Sequence, residues 1–200
     1  MNSARLALVT LAAAALTLQQ AAPARAADDP DPPRGIRQAP AREIFRFDIP
    51  AIEGGKLHEG DFRGRIVIVD VWGTWCGPCR QIIPHLVEIY SRFKSRGVEV
   101  VGISAEPGAD YDTAVRRVRE FAREMGITYR LGMLNEEVYA EIQKVMHYDG
   151  EHFTVPTTIV LDREGAIIAR YPGYFFGQEK EIGELIEQRL KKESKPGGAP

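Results

Sequence analysis

The chain has 200 residues, of which 44% are hydrophobic and 27% are charged, with a formal net charge of −2. That length and hydrophobic content suit one ordinary domain with a real core, plus tails. The charge balance, with no basic block beyond "RLKK" at 189–192, excludes electrostatic attraction to nucleic acid.

Residues 1–26 carry Arg5, an apolar run from Leu6 to Leu18 and the A-x-A site Ala24-Arg25-Ala26. This is the pattern of a secretory signal peptide, and cleavage is expected after Ala26. The apolar run falls short of the roughly 20 residues that a spanning helix needs, so no stable membrane span is expected in the mature chain. No cysteine lies near the cleavage point, which excludes lipid anchoring there. Export into a bacterial periplasm follows as the expected localisation. Residues 27–43 are rich in proline and charge and read as a flexible spacer. The domain is expected over 44–193, and the tail 194–200 reads as disordered.

Within the domain, "EIFRFDIP" and "AIEGGKLHEGDFRG" predict a short antiparallel lead-in. "RIVIVDVW" is a continuous apolar run, as in a central strand buried on both faces. "CRQIIPHLVEIYSRFKSRG" places Ile82, Ile83, Leu86, Val87, Tyr90 and Phe93 at helical spacing, with Gly97 as its stop. "VEVVGIS" predicts a second strand. "YDTAVRRVREFAREMG" predicts a helix with Val115, Val118, Phe121, Ala122 and Met125 facing inward. "TYRLGML" reads as a strand, and "NEEVYAEIQKVMHY" as a helix capped by Asn135. "TTIVLD", "DREG" and "AIIARYPG" predict a hairpin that adds an antiparallel edge. "QEKEIGELIEQRLKKE" predicts a closing helix. The alternation argues for an α/β domain with a largely parallel sheet and helices on both faces.

The only cysteines, Cys76 and Cys79, lie in "WGTWCGPCRQ" at 72–81, in the loop after the first core strand. A bond between residues so close in sequence constrains the unfolded chain little, so a structural staple is a poor reading. Zinc is weakly suggested by His147 and His152. They lie far beyond the gap of roughly 12 to 20 residues that zinc modules use. Copper delivery by the two thiolates and a histidine, His152 foremost, is a better metal alternative. Redox exchange asks for one thiol that ionises easily and a second that resolves the mixed disulfide. Cys76, at the start of the "CRQIIPHL" helix, meets unpaired N–H groups that favour a thiolate and is expected to be the more exposed thiol. Cys79 is one helical turn on and more shielded. Pro78 is tolerated there because its missing N–H had no partner.

"WCGPC" resembles the active site of thioredoxin, and further matches lie outside it. Asp70 stands six residues before Cys76, where thioredoxin carries a buried aspartate. Pro84 matches the proline that kinks the thioredoxin active-site helix. Val155-Pro156-Thr157 resembles its cis-proline loop. The lead-in, "TVPTTIVLDREGAIIARYPG" and the helix-strand insert at about 107–134 resemble the exported TlpA/ResA branch. The likeness covers roughly residues 44–190. It implies a thioredoxin-like fold: a central mixed sheet flanked by helices, with the β lead-in and the insert. It also implies a thiol-disulfide oxidoreductase in which Cys76, Cys79, Asp70 and Pro156 are catalytic. Trp75, Gly77, Pro78 and Val155 would bind substrate.

No cofactor is expected beyond the redox-active Cys76–Cys79 disulfide, and no metal. The implied partners are client proteins with disulfides or thiols, and a membrane electron donor of the thiol-relay type. A monomer is expected. Two departures stand out: Ile82 occupies a position where the branch often carries glutamate, and "MHYDGEHF" is longer than the family pattern. Trp72 is expected in the core and Trp75 on the docking surface, while His58 and His85 read as surface residues. A peroxiredoxin-like peroxidase is the rival enzyme reading. Its usual P-x3-T-x2-C pattern is missing, because Val69 stands seven residues before Cys76 and Thr74 two before it.

Overall fold

A computed structural model describes residues 42–148 and 154–193. The signal segment, spacer residues 27–41, His152 and the tail 194–200 lie outside the described residues. Among the described residues no helix is long and apolar enough to cross a membrane.

Among the described residues, seven strands and four α-helices follow in chain order: β1 (Asp48–Pro50), β2 (Lys56–His58), β3 (Ile66–Trp72), α1 (Cys79–Phe93), β4 (Val98–Ser104), α2 (Tyr111–Glu124), β5 (Arg130–Met133), α3 (Glu136–Met146), β6 (Thr157–Leu161), β7 (Ile167–Pro172) and α4 (Gln178–Glu193). β1 and β2 pair antiparallel as the lead-in. The main sheet has the order β5-β4-β3-β6-β7. β3–β4 and β4–β5 are parallel, whereas β3–β6 and β6–β7 are antiparallel. The sheet is therefore evenly mixed rather than largely parallel. The hairpin does not merely trim an edge, because β6 lies against the central strand β3 and only β7 is peripheral.

β3 alternates between two interiors, as a strand covered on both faces must. Val67, Val69 and Val71 face α3 and the lead-in, joining Phe45, Phe47, Ile49, Val138 and Ile142. Ile66 and Ile68 face α1 and α4, joining Ile82, Leu86, Phe93, Ile182 and Ile186. At the loop end of the same face, Trp72 packs with Ile83, Val118 and both cysteines. Its ring stacks on Phe121 of α2 at 4.9 Å.

Local chemistry sets the element ends. Asn135 and Asp110 accept backbone hydrogen bonds from Val138 and Thr113 and so cap α3 and α2. Gly97 adopts φ 85° at the turn after α1, a conformation that favours glycine. The inward stripe of α2 is Ala114, Val118 and Phe121. Val115, Ala122 and Met125, expected inside, are only half-buried. Glu43, read as spacer, is tied to the sheet. Its carbonyl accepts from Ile167 N at 2.8 Å, and its carboxylate pairs with the buried Arg170.

Gly102 of β4 lies beside Asp70 in register and gives the Trp72 indole its room. A Cβ there would lie 2.8 Å from Trp72 Nε1 and 2.6 Å from Leu131 Cδ2. Trp72 is fully buried and cannot swing away. Gly102→Ala is expected to cost about 1–3 kcal/mol, the usual range for overpacking a core. Urea unfolding measures it, and an unchanged midpoint would mean that the ring has more freedom than its packing shows.

Candidate active site

Parallel strands bring their C-terminal ends to one side of a sheet, and the loops there carry the chemistry. β3 ends at Trp72, and the loop 73–78 leads into α1. Cys76 and Cys79 form a disulfide, with S–S 1.98 Å and Cα–Cα 5.3 Å. α1 begins at Cys79, with Pro78 as its N-cap. Cys76 therefore precedes the helix rather than lying in it, yet it still meets the helix terminus. The Cys79 backbone N–H donates to Cys76 Sγ at 3.2 Å.

The exposure contrast between the two is narrower than expected, at 3% for Cys76 and 0% for Cys79. The bond draws Cys76 against the first turn of α1, inside the cluster with Trp72 and Ile83, where Val155 also packs. Gly77 and Pro78 are exposed beside it. Trp75 is 58% exposed, and its Nε1 donates to the Ala105 carbonyl at 2.9 Å. The Val155–Pro156 peptide is cis, and the Pro156 carbonyl accepts from Gly173 N at 2.8 Å. Trp75 and Val155, with Glu106, Pro107, Leu134 and Tyr139, line an open cleft of about 460 Å³.

Asp70 is fully buried on the face that α1 covers, between Ile68 and Trp72 in the alternation of β3. In register it is flanked by Gly102 and Thr158. Thr158 Oγ1 donates to Asp70 Oδ1 at 2.9 Å and accepts from Gln178 Nε2 at 3.3 Å. The Gln178 amide thus leaves the threonine proton free for the carboxylate. Burial pushes the Asp70 carboxyl up to about 7, and the Thr158 bond opposes part of that rise. Oδ2 has no hydrogen-bond partner among the described residues. Tyr129 is buried as well. Its phenol is pushed well above the ordinary value, mainly by burial and further by the Asp70 charge.

Sequence reasoning missed Glu106. Its carboxylate accepts from Thr74 N at 2.8 Å, Thr74 Oγ1 at 2.7 Å and Ser104 Oγ at 2.9 Å. The available signal was its position: one acid two residues past a buried parallel strand, on the side of the sheet where the C-x-x-C loop lies. Thr158, the partner of Asp70, was missed as well, since only the strand register brings the two together.

Among the described residues no group of three or more His, Cys, Asp or Glu side chains could hold a metal ion. His147 closes α3 in the left-handed region, with φ 55°. His58 caps the 3-10 turn at Glu59–Phe62 by accepting from Gly60 N at 2.9 Å. His85 lies on the outer side of α1, with its Nδ1 3.9 Å from Glu88.

A profile of the AhpC/TSA family matches residues 40–170. The chain is 28% identical over 152 residues to the thiol-disulfide oxidoreductase ResA of Bacillus thuringiensis subsp. konkukian, covering 76% of each chain. Among solved structures it is similar to a thiol:disulfide interchange protein of the thioredoxin family from Chlorobium tepidum TLS. The TM-score is 0.63 at 23% identity, over 77% of this chain and 99% of that one. A secreted thiol-disulfide isomerase from Corynebacterium glutamicum gives TM-score 0.63 at 22% identity, over 82% and 95%.

Proposed function

The chain belongs to the AhpC/TSA family and is a thioredoxin-like thiol-disulfide oxidoreductase of the ResA type, and from that premise we propose that it reduces disulfides of client proteins in the periplasm. The observation that carries this reading is the Cys76–Cys79 disulfide, with the first N–H of α1 aimed at the Cys76 sulfur and the buried Asp70 on the same face.

In the proposed cycle, the Cys76 thiolate attacks one sulfur of a client disulfide. A mixed disulfide forms and the other client sulfur leaves as a thiolate. Cys79 gives its proton to the Asp70 carboxylate, and its own thiolate attacks the Cys76 sulfur. The Cys76–Cys79 bond closes and the second client sulfur departs. Two electrons have passed from enzyme to client. A membrane donor of the thiol-relay type would return two electrons through exchange with the closed disulfide. Trp75, Gly77, Pro78 and Val155 would form the client surface, with Pro156 fixing the Val155 loop beside the cysteines.

Support for export is the leader pattern at 1–26. The ResA likeness favours clients in cytochrome c maturation or copper-site assembly, and we propose a monomeric enzyme without a bound cofactor. The direction rests on the Gly-Pro pair between the cysteines, which is the thioredoxin pair. That protein lies at about −270 mV, towards the reducing end of the scale. Equilibration with glutathione, read by thiol trapping, should give a potential near that value. A potential near the roughly −120 mV of a strong oxidant would reverse the proposed direction.

A further inference from the structure

We infer that Glu106 is a positioning residue of the exchange site, holding through Thr74 and Ser104 the turn that presents Cys76. This rests on the thiol-exchange reading above and deepens it. Both carboxylate oxygens are engaged, and two of the three donors belong to one residue, Thr74, two positions before Cys76. The turn itself closes with Cys76 N donating to the Gly73 carbonyl at 3.0 Å. On its other side, Ala105 N donates to the Trp72 carbonyl at 2.7 Å and Trp75 Nε1 to the Ala105 carbonyl at 2.9 Å. Ala105 and Glu106 thus bind Trp72, Thr74 and Trp75.

Gly73 fits the same arrangement. A Cβ there would lie 2.5 Å from Trp75 Nε1 and 2.8 Å from the Ala105 carbonyl, so a side chain would push the indole off its acceptor. The bonds of Glu106 are not needed to finish the sheet. β4 already pairs with β5 through Ser104, and the Ser104 carbonyl accepts from Leu134 N. What Glu106 adds is order in the loop.

Such order matters most when the disulfide is open. A reduced pair on a held loop keeps its two sulfurs near each other, so the ring closes at little entropic cost. Charge-assisted bonds of this kind are among the stronger hydrogen bonds available. Loosening the turn frees the reduced form, and the enzyme disulfide becomes less favoured against glutathione. The exchange is balanced: two glutathione thiols become one glutathione disulfide as the enzyme disulfide becomes two thiols.

The test is that equilibrium for wild type, Glu106→Ala, Glu106→Gln, Thr74→Val and the Ala/Val double variant. Glu106→Ala should disfavour the enzyme disulfide at least fivefold, which converts to about 20 mV. Glu106→Gln should stay within twofold of wild type. Its amide keeps the shape, and the Thr74 hydroxyl can rotate to accept from it. Thr74→Val should shift in the same direction as Glu106→Ala, and the double variant no further than Glu106→Ala alone.

A Glu106→Ala equilibrium within twofold of wild type, whatever its melting temperature, overturns the inference and makes Glu106 a structural cap. Additive effects of Glu106→Ala and Thr74→Val overturn it too. So does a Gln variant that shifts as far as Ala, since charge rather than position would then be at work. Should Glu106→Ala fail to fold, Thr74→Val shifted with Thr74→Ser unshifted supports the inference, and equal behaviour of the two overturns it. A wild-type pair that does not exchange with glutathione at all sinks the function proposed above and this inference with it. Normal wild-type exchange with unshifted variants sinks the inference alone.

Discussion

Cys76→Ser is expected to reduce turnover of a protein disulfide such as insulin to the uncatalysed background, while Cys79→Ser accumulates covalent enzyme–client adducts. The two cysteines are near-equal in burial when bonded, so exposure does not separate them. The helix terminus does. The Cys79 backbone N–H donates to Cys76 Sγ, and the same amide is placed to stabilise a Cys76 thiolate once the bond opens. Cys79 is the first residue of α1, fully buried, and has no equivalent donor among the hydrogen bonds of the described residues. A client sulfur should therefore meet Cys76 first. On the proposed cycle, no mixed disulfide would form without Cys76, and none would be resolved without Cys79. Timed alkylation of the reduced protein near pH 7, followed by peptide mapping, should label Cys76 at least about tenfold faster, in line with the dependence of thiol reactivity on thiolate fraction. Faster labelling of Cys79 would reverse the roles.

Much of this site was legible because it violates local expectation. Asp70 is the single charge in "IVIVDVW", and a charge inside a run that reads as doubly buried has to be a buried charge. "WCGPC" put two thiols at a strand-to-helix junction, where backbone N–H groups collect. Caps such as Asn135 were readable because their chemistry is confined to a few neighbouring residues. The central strand was readable because a strand covered on both faces needs no alternation to be recognised.

Strand order was not legible in the same way. β6 and β7 each read as strands, but periodicity carries no information on which neighbour a strand takes. The insertion of β6 beside β3 is set by the whole sheet. That insertion puts Thr158 next to Asp70, so the threonine partner stayed hidden with it. Glu106 was hidden for a related reason. In "ISAEPGAD" it resembles any solvated acid before a helix, and its partner Thr74 is 32 residues away. The stripe of α2 was misjudged by size. Val115 and Met125 outrank Ala114 in hydrophobicity. The close approach of α2 to Trp72, however, favours a small residue in line with Val118 and Phe121.

Asp70→Asn is expected to stabilise the protein and slow it at once, with both effects tied to pH. Folded Asp70 holds its proton up to about pH 7, because burial disfavours the charged form. The unfolded chain releases that proton near the ordinary value of 3.8. Between the two values the folded state binds the extra proton. Stability therefore falls as pH rises from about 4 to about 7 and is level above that. The separation of about 3 pH units corresponds to about 4 kcal/mol, at 1.36 kcal/mol per unit. Asparagine keeps an oxygen for the Thr158 hydroxyl and carries no charge, so the variant should gain up to about 4 kcal/mol over wild type at pH 8 and little at pH 4. Taking the difference between the two proteins removes the contribution of every other titrating group. The rate should move the opposite way. Asparagine cannot accept the Cys79 proton, and loss of a positioned base typically costs about a hundredfold or more. In the wild type, resolution of the mixed disulfide should weaken below pH 7 as the carboxyl protonates. In Asp70→Asn that inflection should be absent. Urea unfolding at pH 4 and 8, with stopped-flow measurement of mixed-disulfide decay across the same range, checks both halves. An equal stability gap at the two pH values would show that Asp70 is not a buried charge in solution. An unchanged rate beside a large stability gain would leave it a strained residue with no part in proton transfer.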